Sequence, residues 1–284
     1  MEKQGNMEGG RHITVDTTVD RSAPVTVDTA TVQQAHVTVD TATGQQAPAQ
    51  LSVERTRRIF GRIAERYDLF NQLSSLGIYK KWLRTLVQEA QQEGVGPKTR
   101  MLDVAGGTGD VSFAIAQAVG PQSIKLTDYT PEMLAVAQRR LEAGEGCGVP
   151  VHIAEADGQA LPFDDESFDL VTCSYGVRNM PDRQAALSEA YRVLAPDGVY
   201  VVLEFSAPPN ALWRGLYHIY LRLVIPTIGG LLTGDRAGFV YLNDSIRAFP
   251  DQDTLASMLR DAGFSQVRYR NLSGGIAALH IARK

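Results

Sequence analysis

The chain has 284 residues, a formal net charge of −4 and 44% hydrophobic residues, a composition typical of one large globular domain or two small ones. The lack of a basic excess argues against a nucleic acid as partner. Cys147 and Cys173 lack metal-ligand spacing and are too few for a disulfide framework, so we expect a reducing, cytoplasmic compartment.

The first 50 residues differ from the rest, and we expect them to form a disordered extension. They contain three tandem units of twelve residues, 12–23, 24–35 and 36–47, without Leu, Phe, Tyr or Trp, so little apolar area offsets the entropy of ordering. Their Val-Thr-Val-Asp alternation leaves a β-forming arm as the alternative. With three basic and six acidic residues the segment has the features of neither a signal nor a transit peptide.

From residue 51 the apolar spacing predicts secondary structure. Two helices, at 53–67 and about 78–93, come first. Strands and helices then alternate. The predicted strands are 100–105, 123–127, 151–154, 168–174 and 199–205, and the helices between them are 110–119, 131–141 and 182–194. This alternation predicts an α/β domain at 51–284 with a doubly wound, mostly parallel sheet.

The last part of the chain departs from the alternation. An apolar and aromatic insertion at about 208–250 is predicted to form a helical lid. A helix at 251–261 follows, and strands at 266–271 and 276–282 flank Ser273-Gly-Gly275, a hairpin signal. We therefore expect seven strands with an antiparallel hairpin at the C-terminal edge.

A glycine-rich turn, Asp103-Val-Ala-Gly-Gly-Thr-Gly-Asp110, lies between the first of these strands and the next helix. Glycines permit a tight turn and close approach of a ligand, and the helix start offers free N–H groups. The next strand ends at Asp128, 21 residues after Gly107, where a carboxylate can accept hydrogen bonds from both ribose hydroxyls. A purely structural turn is the alternative, but the combination favours a nucleotide site.

The spacing of the turn narrows the choice of nucleotide. Ser112 occupies the third small position of a dinucleotide fingerprint, which weakens a nicotinamide or flavin site, and no Gly-Lys-Ser/Thr follows to make a P-loop. With Asp157 after the third strand, the arrangement resembles the S-adenosylmethionine (SAM) methyltransferases with a Rossmann-like core. The residues that this resemblance implies at the cofactor are Asp103, Gly107, Thr108, Gly109, Asp128, Asp157, Gly158 and Ser174.

Further segments are similar to the UbiE-type C-methyltransferases of ubiquinone and menaquinone biosynthesis, over essentially all of residues 51–284. The segments are 60–68, 71–77, 175–179, 192–198, 203–206, 251–254 and 271–275. The resemblance implies methylation of a ring carbon in a prenylated benzoquinol or naphthoquinol, without a metal and with S-adenosylhomocysteine as product. Phe70 replaces the family's usual Met, and Tyr79 replaces a usual His. Because Tyr79 supplies a hydroxyl but no proton acceptor near neutral pH, a changed quinol preference is one consequence.

Arg178 and Asn179 follow the fourth strand and are implied by the resemblance to be catalytic. Carbon methylation requires an electron-rich ring, and the permanently protonated Arg178 is expected to stabilise the developing phenolate. In the alternative interpretation Arg178 pairs with Asp182 and only fixes the loop. Glu204 ends a strand where a substrate can approach, or else caps the following turn.

Four residues are candidates for contact with the acceptor: Tyr67, Tyr79, His218 and Asp244. Three of them have a structural alternative: packing for Tyr67, a hydrogen-bonded role for His218 and a helical i, i+3 pair with Arg247 for Asp244.

The insertion at 212–232 is rich in Leu, Ile, Tyr and Trp, but His218, Arg222 and Pro226 interrupt it, so no apolar run spans a membrane. It is expected to hold a polyprenyl tail and to contact the inner membrane peripherally. A homodimer interface and a lid packed on the core are the alternatives. The rival functions are a methyltransferase for another small lipid or natural product, a nicotinamide reductase and a cofactor-binding scaffold without turnover.

Overall fold

Short runs of β-branched and leucine residues form a seven-stranded sheet in the computed structural model, which describes residues 57–58, 60–61, 64–66, 71, 75, 77–224, 226–227 and 236–284. The strands are β1 (Arg100–Val104), β2 (Ser123–Asp128), β3 (Val151–Glu155), β4 (Phe168–Ser174), β5 (Leu194–Phe205), β6 (Gln266–Leu272) and β7 (Ala277–Arg283). The predicted extension, its repeats, Phe70 and most of the helix predicted at 53–67 lie outside the described residues.

Seven α-helices are described in these ranges. They are α1 (Tyr79–Gln92), α2 (Asp110–Val119), α3 (Pro131–Glu142), α4 (Arg183–Val193), α5 (Ala211–Ile219), α6 (Arg236–Arg247) and α7 (Gln252–Asp261). Side-chain caps explain several starts: Asp182 accepts a hydrogen bond from the Ala185 N–H at 2.9 Å, and Asn210 and Asp251 cap α5 and α7 in the same way. A π-helical turn, Tyr220–Val224, follows α5. None of the helices in the described residues is long and apolar enough to cross a membrane.

The strand order is β3-β2-β1-β4-β5-β7-β6. The first five of these strands are parallel, whereas β7 runs antiparallel to both β5 and β6. The predicted doubly wound sheet with a C-terminal antiparallel hairpin is therefore confirmed, with β6 at the edge and β7 inside it. Their burial explains this order, because the side chains of β7 are buried along nearly its whole length and those of β6 are mostly exposed.

Side chains of β1 alternate between two apolar layers, one on each side of the sheet. Met101 packs in the layer that contains α1 and α2, and the next residue, Leu102, packs in the layer that contains α4 and α7. Because the central strands are buried on both faces and run parallel, their carboxyl ends meet at one edge of the sheet. Loops at that edge are where open α/β sheets bind ligands.

Candidate active site

A cleft of about 750 Å³, partly open to solvent, lies at the carboxyl ends of β1 to β4. Its lining includes Gly107 after β1, Asp128 at the end of β2, Asp157 and Gly158 after β3, and Ser174 at the end of β4. All five were predicted from the sequence as cofactor residues. The structure thus brings them together at one site.

A smaller chamber of about 460 Å³ adjoins this cleft and shares Gly107 and Ser174 with it. Asp103, Thr108 and Tyr79 border the smaller chamber. Ser174 Oγ lies at the junction; it is buried, and no polar atom of the described residues bonds to it. The two chambers therefore form one continuous site with a hydroxyl available where they meet.

The last glycine of the glycine turn, Gly109, has a backbone conformation that favours glycine. Gly109 has φ +92° as the residue before α2, and a Cβ there would lie 2.5 Å from Phe113 Cε2. Gly109 borders neither chamber within the described residues. Its contribution is the shape of the turn, whose Thr108 carbonyl accepts a hydrogen bond from Arg140 Nη1 at 3.0 Å.

Asp103 lies beneath this turn and is fully buried. Its carboxylate oxygens accept hydrogen bonds from Ser112 Oγ and Thr172 Oγ1, each at 2.7 Å. Burial raises the pKa of Asp103 to about 6, although the two hydroxyls favour the ionised form. Ser112, the residue that breaks the dinucleotide fingerprint, therefore has a defined role: it ties the start of α2 to the end of β1.

Asp128 faces the cleft with its carboxylate already oriented. Oδ2 accepts from the Gly107 N–H at 2.9 Å and Oδ1 from the Thr130 N–H at 2.8 Å. Burial raises the pKa of Asp128, and these backbone donors oppose that shift. The Thr130 hydroxyl and the Tyr129 N–H contribute to the same opposition. Each carboxylate oxygen can accept more than one hydrogen bond. Asp128 thus presents an oriented carboxylate to the cleft, the group that accepts hydrogen bonds from a ribose hydroxyl.

The lining of the cleft after β3 is closely packed at Gly158. A Cβ on Gly158 would lie 2.6 Å from Met180 Cε and 2.9 Å from Val104 Cγ1, so any side chain at this position would enter the space of its neighbours. Asp157 is held by the Gln159 N–H at 2.9 Å. Gly158 therefore lets the segment after β3 pack closely against Met180, which also lines the cleft.

Several lining residues were not predicted from the sequence. Tyr129 directly follows Asp128, and the guanidinium of Arg57 lies over its ring at 5.4 Å while pairing with Glu155 at 3.6 Å. Met133 and Met180 add soft apolar surface. Position after a strand end is the signal that identifies Tyr129. Arg57 has no such signal, because it reaches the cleft from a segment distant in sequence.

Arg178 lies below the cleft, not among its lining residues in the described part of the chain. Its side chain is 2% exposed, and Nη1 donates to Glu204 Oε2 at 3.0 Å. The guanidinium also lies 5.5 Å from the centre of the Phe205 ring. Glu204 is thus its partner, and the alternative pairing with Asp182 is wrong, because Asp182 caps α4. Burial raises the pKa of Glu204, and the charge of Arg178 opposes this.

Asn179, by contrast, lines the cleft. Its Nδ2 donates to the Tyr175 carbonyl at 3.0 Å, and its Oδ1 accepts a hydrogen bond from the Tyr241 hydroxyl at 3.0 Å. Tyr241 lies on α6, inside the insertion predicted as a lid. Sequence reasoning missed this residue, since no local pattern indicates which strand loop a helix 62 residues later will meet.

The four acceptor candidates are in different places. Tyr79 is 6% exposed and borders the smaller chamber. His218 lies on α5 beside a shallow surface depression, where burial and the charges of Arg247 and Arg214 lower its pKa. Asp244 is exposed on α6 and Tyr67 is outside the described residues. The structure therefore brings only Tyr79 of the described candidates to the site.

The resemblance described above also predicts that the site contains no metal. In the ranges that the structure describes, no three His, Cys, Asp or Glu side chains are grouped as metal ligands. A metal-free site stays a prediction.

Comparison with known proteins agrees with this geometry. A ubiquinone/menaquinone biosynthesis C-methyltransferase UbiE from Roseobacter denitrificans is 42% identical over 228 residues, which cover 80% of this chain and 89% of that protein. The protein of the same name from Shewanella pealeana is 40% identical over 233 residues, covering 82% and 91%. A solved SAM-dependent methyltransferase from Thermotoga maritima superposes with a TM-score of 0.54 at 17% identity, covering 80% of this chain and 99% of that one, a likeness in fold.

The family model of the ubiE/COQ5 methyltransferase family matches residues 49–284, which include every strand and helix described above. The cleft at the carboxyl edge of the sheet and the sequence relationship therefore point to the same class of enzyme. This chain belongs to the ubiE/COQ5 methyltransferase family.

Proposed function

We propose that this enzyme transfers a methyl group from SAM to a ring carbon of a prenylated quinol, either a demethylmenaquinol or the benzoquinol precursor of ubiquinol. The observation that supports this most directly is the single cleft in which Asp128, the glycine turn and Asn179 meet, in a chain of this family. The names of its relatives supply the substrate class.

The residues present fit SAM. Asp128 presents carboxylate oxygens to the cleft for a ribose hydroxyl, Gly158 and Met180 line the same cleft, and the buried Ser174 hydroxyl lacks a partner among the described residues. When bound, SAM would supply an electrophilic methyl group: the ring carbon would contribute the electron pair of the new C–C bond, the C–S bond electrons would remain on sulfur, and the ring proton would leave to solvent, to which the cleft is partly open.

On the acceptor side, Asn179 is the residue we assign to contact the quinol. One amide hydrogen is used by the Tyr175 carbonyl, which leaves the second to stabilise a quinol oxygen as it becomes a phenolate. Direct contact of Arg178 with that oxygen stays a prediction and requires its pair with Glu204 to open. In the closed pair, Arg178 is a positioning residue that holds the loop carrying Asn179.

The polyprenyl tail requires apolar surface. We propose that the insertion containing α5 and α6 provides it and brings the enzyme into peripheral contact with the membrane that contains the quinol. Exposed Leu212 and Leu216 on α5 support this assignment.

The direct test is incubation of the full chain with labelled SAM and demethylated quinols of both ring types, with the product identified by mass. We expect a gain of one methyl group on a ring carbon of one quinol. Thermal stabilisation by SAM but not by NADH would separate this function from that of a reductase. SAM binding without methylation of either quinol would contradict the proposal.

One observation favours a methyl acceptor other than these quinols. Tyr79 replaces the usual His of the resembled family and borders the smaller chamber. If the quinols fail as acceptors, the same assay with other small phenolic lipids tests the alternative of a different lipid or natural-product substrate.

Replacing Asp128 tests the cofactor assignment. In Asp128→Asn the new amide N–H group faces one of the two backbone N–H donors, and one charged acceptor is lost. A hydrogen bond to a charged group is worth roughly 1.5–3 kcal/mol, so we expect SAM to bind at least about tenfold more weakly. Isothermal titration would measure this. Asp164→Asn, which changes an exposed carboxylate, is the control. An unchanged Kd for Asp128→Asn would remove Asp128 from the site.

A further inference from the structure

The outward side of α5 and of the turn after it carries a stripe of exposed apolar side chains. Leu212, Leu216, Ile219 and Leu223 are 75%, 52%, 56% and 60% exposed. Their spacing of four, three and four residues places them along one side of a helix. Trp213, 37% exposed, lies next to them in sequence. We call these five side chains the α5 face.

The opposite side of the same segment is buried against the active site. Tyr217 and Leu221 are 2% and 0% exposed. They belong to the apolar cluster that includes Tyr175 and Phe205, and Tyr175 lines the cleft. The inner side of this segment therefore packs in the same apolar layer as the loop after β4, and the α5 face lies on its outer side.

Positive charge surrounds the α5 face. Arg222 and Arg247 line a shallow depression together with Ile219 and Leu223, and Arg214 is close enough to His218 to affect its titration. Within the described residues none of these three arginines forms an ion pair, although Arg214 donates to the Pro208 carbonyl. Asp244 is an exposed carboxylate on α6, one helical turn before Arg247. The balance around the face is cationic.

We propose that the α5 face docks on a lipid bilayer with anionic headgroups, its apolar side chains at the acyl boundary and Arg222 and Arg247 at the phosphates. This inference rests on the proposed function, because it assigns the membrane contact of that function to a defined surface. Charge complementarity identifies the occupant: arginines beside an apolar stripe match an anionic interface.

The size of the face also favours a bilayer over a second copy of the chain. The face consists of five side chains, each 37% to 75% exposed, whereas a stable protein interface involves about 20–30 residues on each side. A stable protein interface buries roughly 800 Å² on each partner. An interfacial helix needs no matching surface and gains from each side chain that it buries in lipid.

Vesicle sedimentation of the full chain tests the proposal. The vesicles are phosphatidylcholine alone and phosphatidylcholine mixed with phosphatidylglycerol. We expect tighter binding to the anionic vesicles and a loss of at least about tenfold on both kinds of vesicle in L216S/L223S. In R222Q/R247Q we expect a loss of roughly 25-fold on anionic vesicles alone, at about fivefold for each arginine. Tyr269→Ser and R84Q/R260Q are the matched controls, since they change exposed residues on other surfaces and should bind as the unmodified chain does.

Two outcomes overturn the inference. Vesicle binding by L216S/L223S and R222Q/R247Q equal to that of the unmodified chain would show that another surface meets the lipid. A dimer that becomes a monomer in L216S/L223S, without a change in vesicle binding, would make the α5 face a subunit interface. Two chemically different variants guard against a folding defect in either one.

Measuring methyl transfer to a water-soluble short-chain quinol distinguishes a failure of this inference from a failure of the proposed function. We expect R222Q/R247Q, which leaves the apolar surface proposed for the tail unchanged, to methylate this quinol as the unmodified chain does. If the unmodified chain methylates no quinol yet binds vesicles in the expected pattern, the proposed function fails and the α5 face stands. If methylation is intact and the vesicle pattern is absent, the α5 face fails and the proposed function stands.

Discussion

Arg178 and Glu204 form an ion pair from which water is almost completely excluded, with side chains 2% and 1% exposed. Glu204 also accepts from the Arg178 backbone N–H at 3.0 Å, so the pair fixes both the side chain and the backbone of the loop after β4. Removing one member leaves a buried charge without compensation. The pair therefore links the stability of the fold to the position of Asn179.

A double-mutant cycle measures this link. Arg178→Met and Glu204→Gln should each destabilise the fold by about 3–5 kcal/mol, because each strands one buried charge. The double variant R178M/E204Q contains neither charge, and its new amide oxygen can still accept from the backbone N–H. We expect it to be more stable than either single variant in urea unfolding. Additive losses would show that the two groups act independently.

Turnover of the same double variant separates the two roles of Arg178. If Arg178 acts by positioning the loop, methyl transfer should recover together with stability. If it stabilises the phenolate directly, R178M/E204Q should stay inactive while it binds SAM normally. SAM binding by titration is the control for an intact cofactor site.

The site could be predicted from sequence where a residue's role follows from the strand that precedes it. Asp128, Asp157 and Ser174 each end or follow a strand, so parallel pairing alone brings them together. The partner of Arg178 could not be predicted in the same way. It depends on the pairing of β4 with β5, which brings together residues 26 positions apart.

At the scale of elements, the turn between β1 and α2 depends on a backbone conformation that other residues adopt at a cost. Gly109→Ala places a methyl group at φ +92° and against Phe113, so we expect a loss of about 1–3 kcal/mol and weaker SAM binding. Gly215→Ala is the matched control: Gly215 is helical, and nothing lies within 4 Å of its Cβ position. That variant should gain up to about 1 kcal/mol. Equal effects of the two substitutions in thermal unfolding would contradict this explanation.

The hydrogen bond from Tyr241 to Asn179 joins α6 to the loop at the cleft. Tyr241→Phe deletes one neutral hydrogen bond, worth about 0.5–1.5 kcal/mol, so kcat/KM for the quinol should fall roughly two- to tenfold while the Kd of SAM changes little. Steady-state kinetics with titration of SAM would show the difference. Tyr269→Phe, which removes a hydroxyl from the edge strand, is the control. A parallel loss of SAM affinity would assign Tyr241 to the cofactor side instead.

The bounds of helices and strands were well predicted wherever the spacing of apolar residues and the capping residues agreed. The bounds of α2 and β4 match the prediction, and the predicted start of α4 is one residue early because Asp182 is its cap. The inner position of β7 was not predicted. A hairpin signal specifies that two strands pair, whereas the choice of which one joins β5 is made by burial in the assembled sheet.

At the scale of the whole molecule, the burial of Asp103 makes stability depend on pH. Its pKa of about 6 in the folded chain lies above the value of roughly 3.9 for an unfolded one. Between these values the folded state binds more protons, so the free energy of unfolding falls as pH rises from about 4 to about 6, by about 3 kcal/mol for this group.

The isosteric variant Asp103→Asn tests this dependence. It cannot ionise, so its stability relative to the unmodified chain should increase across the same interval of pH. Urea unfolding at several pH values measures the difference, and Asp261→Asn, at an exposed position, should show no such trend. A difference that is constant with pH would mean that Asp103 does not change its protonation in this range.

The inner position of β7 has a consequence for the order in which the chain acquires its structure. β7 is synthesised after both β5 and β6, yet it lies between them in the sheet. Until residues 277–283 have left the ribosome, one side of β5 has no neighbour and β6 has no strand to pair with. A nascent chain therefore holds an open, apolar strand edge from the completion of β5 until β7 emerges, which is the stage at which a chaperone would bind it.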